Sequence, residues 1–113
     1  MATISSHTLN GVDGTHAGGI RVTLRRLDSN EILIETEMDA GGRIKEEVAP
    51  EKLGSVTRCE LIFETGAYWQ SRGHAGPRVI DEIVLRFTID DPQDLYHMPV
   101  ILSLYGYSTW KSG

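Results

Sequence analysis

The feature that most constrains this chain is alternation of apolar and polar residues with a period of two. Ile20, Val22 and Leu24 alternate with Arg21, Thr23 and Arg25. Cys59, Leu61 and Phe63 alternate with Arg58, Glu60, Ile62 and Glu64, and Ile83, Leu85, Phe87 and Ile89 with Glu82, Val84, Arg86 and Thr88. Successive side chains of an extended strand point to opposite sides, so each run places one apolar row on one face, as a half-buried antiparallel sheet requires. A shorter run, residues 31–37, puts Ile32 and Ile34 on one face between acidic residues. Between the runs lie Asp28-Ser29-Asn30, Asp39-Ala40-Gly41-Gly42 and Asp90-Asp91-Pro92, residues that bend a chain cheaply, and residues 11–19 hold four glycines and read as a loop. Seven or eight short strands at this spacing predict an all-β sandwich or barrel.

One segment breaks the alternation. Residues 65–73 follow a strand and end in glycine, which predicts a single short helix of about two turns with Thr65 as its cap, and residues 73–77 then form a loop. No internal repeat, low-complexity tract or linker interrupts the chain, so one domain over residues 1–113 is expected.

Composition removes whole classes of function. Lysine plus arginine is 11 and aspartate plus glutamate 16, a formal charge of 11 − 16 = −5. That balance argues against sequence-independent nucleic-acid binding, which needs a concentrated positive surface, and no polybasic stretch is present for anionic lipid. No apolar run approaches the ~20 residues of a membrane span. The opening Met1-Ala2-Thr3-Ile4-Ser5-Ser6-His7 has neither the basic start nor the apolar centre of a secretory signal, so the expected location is the cytoplasm. Cys59 is the one cysteine, which leaves no intrachain disulfide and no multi-cysteine zinc site.

Residues able to do chemistry are scattered. The histidines are His7, His16, His74 and His97, without metal-pair spacing. His16 and His74 sit among glycines and read as solvated loop residues. His7, in the first strand on one face with Thr3, Ser5 and Leu9, and His97, in Tyr96-His97-Met98-Pro99, read as structural residues unless partners reach them from elsewhere in the fold. Ser5, Ser6, Ser103, Ser108 and Ser112 lack the G-x-S-x-G elbow. Cys59 points inward with Leu61 and Phe63, Arg43 is a cation just past a glycine turn, and Glu35, Glu37, Asp39, Glu46 and Glu47 read as the solvated charge of a hairpin at a sheet edge.

Four ordered blocks then carry a resemblance over essentially the whole chain. They are Ile4-Ser5-Ser6-His7-Thr8-Leu9, Asp39-Ala40-Gly41-Gly42-Arg43, Phe63-Glu64-Thr65-Gly66-Ala67-Tyr68-Trp69, and the terminal run from Tyr96-His97-Met98-Pro99 to Tyr105-Gly106-Tyr107-Ser108-Thr109. Together they resemble the 5-hydroxyisourate hydrolases, the enzymatic branch of the transthyretin-like family. The resemblance implies a two-sheet transthyretin-like (prealbumin-like) β-sandwich of about eight strands with one short helix, assembled as a homotetramer from two dimers. It implies hydrolysis of 5-hydroxyisourate to 2-oxo-4-hydroxy-4-carboxy-5-ureidoimidazoline in urate degradation, in a channel where dimers meet, with no metal or organic cofactor. The motif residues fall on His7, Arg43 and His97: two imidazoles as base and orienting pair, and a guanidinium as anion clamp. Imidazole chemistry suits proton removal from water near neutral pH, and a fixed guanidinium suits the charge developing on an attacked oxygen.

The tail departs from the family pattern. Hydrolases of this kind end in Tyr-Arg-Gly-Ser, whereas this chain carries Trp110, Lys111, Ser112 and Gly113. Lys111 keeps the charge without the planar fork of arginine, Trp110 adds volume, and Ser112 is the nearest serine, so that Trp110, Lys111, Ser112 and the neighbouring Tyr107 stand as candidate substrate-binding residues. Upstream, Arg78-Val79-Ile80 stands in place of the usual aromatic-Pro step. Two other readings follow from these departures: an enzyme of the same fold acting on a different cyclic amide, or a non-catalytic protein that binds small ligands in the channel.

Overall fold

The computed structural model describes residues 1–74 and 79–112. Within them, two sheets face each other. One has β4 (Arg43–Val48) beside β1 (Ala2–Asn10), then β7 (Leu95–His97) and β8 (Val100–Leu102), with β9 (Tyr107–Thr109) outermost; the other has the order β3 (Ile32–Glu37), β2 (Arg21–Arg26), β5 (Thr57–Phe63), β6 (Ile83–Ile89). This is the expected two-sheet all-β sandwich. The alternation is realised where it was clearest: Ile20, Val22, Leu24, Cys59, Leu61 and Phe63 are all buried between the sheets. Burial pushes the Cys59 thiol up to about 11, so it stays protonated and behaves as a small apolar side chain.

Among the described residues nine strand segments stand where about eight were expected, and Pro99 explains the difference. β7 and β8 both pair with β1 in parallel and in the same register, Ser5 opposite His97 and Thr8 opposite Val100. Tyr96, Met98 and Val100 all point inward, so the two segments are one strand whose ladder lapses at Met98-Pro99, where proline lacks an N–H. Ser6 bridges the lapse by donating its hydroxyl to the Met98 carbonyl at 2.7 Å. β1 continues with a polar inward row whose members are satisfied: Thr8 Oγ1 donates to the Ala17 carbonyl, and Asn10 Nδ2 to the Tyr68 hydroxyl.

Three local expectations are corrected. Ile32 is exposed while Ile34 is buried, because a register shift between Leu24 and Arg25 pairs Ile32 with the outward Arg25. β3 and β4 do not form a hairpin; they are edge strands of different sheets, and the turn at 39–42 carries the chain from one sheet to the other. The helix α1 (Thr65–Ser71) forms as expected, but its cap is Glu64, and the buried Thr65 hydroxyl has no hydrogen-bond partner among the described residues. Residues 75–77 of the expected loop at 73–77, and Arg78, lie outside the described residues.

On the outer face of the second sheet, Glu60 is buried beneath two arginines, accepting from Arg25 Nη2 at 2.6 Å and Arg86 Nε at 2.9 Å. These bonds, that from Arg25 first, hold its carboxyl below the usual range.

Candidate active site

The site is built around β1, which pairs with β4 on one side and with β7 and β8 on the other. Ser5 and His7 share its outward face, and residues directly opposite each other on neighbouring strands share a face too. His7 stands opposite Arg43 and Ser5 opposite Lys45 on β4, while on the other side Ser5 stands opposite His97 on β7. Residues 7, 43 and 97, far apart along the chain, are thereby brought to one patch of one sheet. Antiparallel pairing of β1 with β4 and parallel pairing with the late strand β7 do this, and no short-range pattern announces it.

A cavity of about 310 Å³ opens on this patch, lined by Ser5, Ser6, Asp39, Arg43, Ile44, Lys45 and His97. His7 lies beside it, across from Arg43. His97 Nδ1 and Ser5 Oγ are 2.7 Å apart, a hydrogen bond that fixes the imidazole ring. Ser5 was discounted in the sequence for want of a nucleophile elbow, and its position two residues before His7 on one strand face is the signal that placed it here. Arg43 and Lys45 form no ion pair within 4 Å among the described residues, so two cations line the cavity together with the Asp39 carboxylate.

The turn before β4 aims Arg43. Asp39 Oδ1 accepts the Gly41 and Arg43 backbone N–H groups, both at 2.9 Å. Gly42 has φ +72°, and its carbonyl accepts the Thr8 N–H at 2.7 Å. A Cβ at Gly42 would lie 2.5 Å from the Thr8 carbonyl oxygen, so glycine is needed both for conformation and for space.

His7 is half-buried, and its Nε2 lies 3.1 Å from the Gly41 carbonyl and 2.9 Å from Nδ1 of His16. Burial, then Arg43, His16 and His97, lower its pKa from the ordinary 6.5, while the Gly41 carbonyl opposes them. His16 is thus not the unattached loop residue its glycine-rich surroundings indicated. His74 likewise packs edge-on against Trp69, ring centroids 5.2 Å apart.

The tail runs antiparallel beside β7 and β8. Ser108 stands opposite Ile101, and Ser112 opposite His97, with the Ser112 N–H donating to the His97 carbonyl at 2.8 Å. With register kept between those points, alternation puts Trp110 and Ser112 on the His97 face and Lys111 on the inward one. Lys111 Nζ accordingly sits 5.8 Å from the Tyr96 ring centroid, in a second cavity of about 350 Å³ bordered by Asp90 and Asp94, away from His97. Tyr107, opposite Leu102, and Trp110 are both about half exposed, and Gly113 lies outside the described residues. Among the described residues no group of three His, Cys, Asp or Glu side chains has the arrangement of a metal site.

A family model for the HIUase/Transthyretin family matches residues 4–112. The chain is 30% identical to a 5-hydroxyisourate hydrolase of Pseudomonas aeruginosa, over 98% of this chain and 91% of that protein. Among solved structures, 5-hydroxyisourate hydrolase of Klebsiella pneumoniae superposes with a TM-score of 0.84 at 32% identity, covering 100% of both chains. An (S)-allantoin synthase superposes with a TM-score of 0.87 at 28% identity; it covers 99% of this chain, which spans only 44% of that longer protein.

Proposed function

This chain belongs to the HIUase/Transthyretin family, and from that premise we infer that it is a hydrolase that opens the ring of 5-hydroxyisourate. Near-complete coverage of relatives carrying that activity supports the substrate. The observation that supports the mechanism is the meeting of His7, Arg43 and His97 on one face of one sheet, beside a cavity lined by two cations and the Asp39 carboxylate.

In the reaction we propose, Arg43 holds the ring carbonyls, with Lys45 adding positive charge. An imidazole of the His7–His97 pair removes a proton as water oxygen bonds to the ring acyl carbon, and Arg43 stabilises the charge that develops on the carbonyl oxygen. The acyl–nitrogen bond then breaks, the imidazolium returns its proton to the departing nitrogen, and the new acid gives its remaining proton to solvent and leaves as a carboxylate. Water supplies every added atom, so the step balances without redox change. A channel for hydrophobic cargo would have no use for this polar face, whose burial costs free energy unless a polar ligand pairs with it.

The proposed assembly is a homotetramer of two dimers that closes over this face. Its support is that the histidine face continues into Leu9, opposite Ile101, and on to Ile101 and Trp110, large apolar side chains left partly or half exposed in the single chain. The test of function is to add the protein to a urate oxidase reaction and follow the hydroxyisourate absorbance. The expected result is decay well above the spontaneous rate; decay at the spontaneous rate rejects this substrate.

A further inference from the structure

We propose that His16 is a positioning residue that holds His7 in the tautomer with hydrogen on Nε2, presenting Nδ1 as the proton acceptor of the hydrolysis. The inference rests on the hydrolytic reading and adds to it a fourth residue and a direction for the proton.

The backbone places His16 firmly. The loop after β1 folds back on that strand: Asn10 N–H donates to the Thr15 carbonyl at 2.8 Å, Ala17 N–H to the Thr8 carbonyl at 2.9 Å, and Asn10 Oδ1 accepts the Val12 and Asp13 N–H groups. His16 consequently forms an antiparallel bridge opposite Leu9. Residues opposite each other share a face, so His16 projects on the face of Leu9 and His7 and is the diagonal neighbour of His7. The two rings are near-parallel, 22° between planes and 4.9 Å between centroids.

Hydrogen-bond bookkeeping then sets the tautomer. His7 Nε2 faces the Gly41 carbonyl, which only accepts, and His16 Nδ1. A hydrogen on His7 Nε2 serves both, with the ring hydrogen of His16 on its own Nε2. A neutral imidazole carries one ring hydrogen, so His7 Nδ1 keeps its lone pair. When Nδ1 takes a proton from water, Nε2–H becomes a stronger donor towards two acceptors already in place, and nothing has to reorganise. No carboxylate hydrogen-bonds to His7 among the described residues, so His16 occupies the orienting place that an acid commonly fills beside a catalytic histidine. The groups facing His7 are Arg43 from β4, His97 from β7 and His16 from the loop, with Asp39 and Lys45 lining the adjoining cavity; Asp13, in the loop of His16, is held by Arg72.

The test combines nitrogen-15 NMR of the histidine rings with turnover of two variants. Wild-type His7 is expected to show hydrogen on Nε2. His16→Ala removes the acceptor, mixing the His7 tautomers and lowering kcat about tenfold with KM little changed. His16→Asn, whose Oδ1 accepts in the position of Nδ1 without titrating, is expected to restore most of both. Hydrogen on Nδ1 of wild-type His7, unchanged kcat in His16→Ala, or His16→Asn as impaired as His16→Ala overturns the inference. A wild type inactive on 5-hydroxyisourate fails the functional reading instead, and the ring tautomer still decides the role of His16.

Discussion

At the scale of single residues, the site depends on charge shape and on proton affinity. Arg43 presents a planar fork to the cavity where a point charge would give attraction without orientation. Arg43→Lys is expected to lower kcat/KM by roughly ten- to a hundredfold in steady-state kinetics while leaving the fold intact. His7 is held below the ordinary histidine value of 6.5, chiefly by burial and then by Arg43. A lowered pKa means the neutral, proton-accepting form persists further into acid. With His7 as the base, kcat/KM is therefore expected to fall on the acid side with a midpoint below 6.5; a midpoint above that value contradicts a base in this environment.

At the scale of elements, the turn between the sheets decides where Arg43 points. Gly42 combines positive φ with a close approach to the Thr8 carbonyl. Gly42→Ala is expected to destabilise the protein by about 2 kcal/mol or more in urea unfolding, and to reduce activity further by displacing Arg43. This scale also separates what was legible in the sequence from what was not. Alternation in β2 and β5, the short helix and the 39–42 turn were legible, because each is a local pattern with a local physical cause. The register shift that turns Ile32 outward was not, since a bulge conserves composition while changing parity. The lapse at Met98-Pro99 had a visible sign in the proline, but that β7 and β8 keep one register with β1 depends on a pairing 92 residues apart. For the same reason Ser5–His97 was invisible; His7–His16 is only nine residues apart, but it depends on how the glycine-rich loop folds back on β1, which composition does not specify. Lys111 shows the converse, because a change of residue type can be read from sequence whereas the face it occupies cannot.

At the scale of the whole molecule, the histidine-bearing face runs without a break into Leu9, Ile101 and Trp110, and one chain leaves it open. In the proposed tetramer a second dimer covers it and excludes water from the reacting groups. Ile101→Glu places a charge in that contact; sedimentation is expected to show dissociation, accompanied by at least about a tenfold loss of activity with the β-sheet signal retained. A variant that stays tetrameric and fully active contradicts a site completed by that contact. In the proposed reaction, imidazole and guanidinium groups gathered by β1 hydrolyse 5-hydroxyisourate as one unit. Its most direct measurement is the decay rate of 5-hydroxyisourate with wild type and His97→Ala side by side. Strong acceleration by wild type and a loss of roughly a hundredfold or more in the variant are expected; equal rates for the two proteins rule out that reaction.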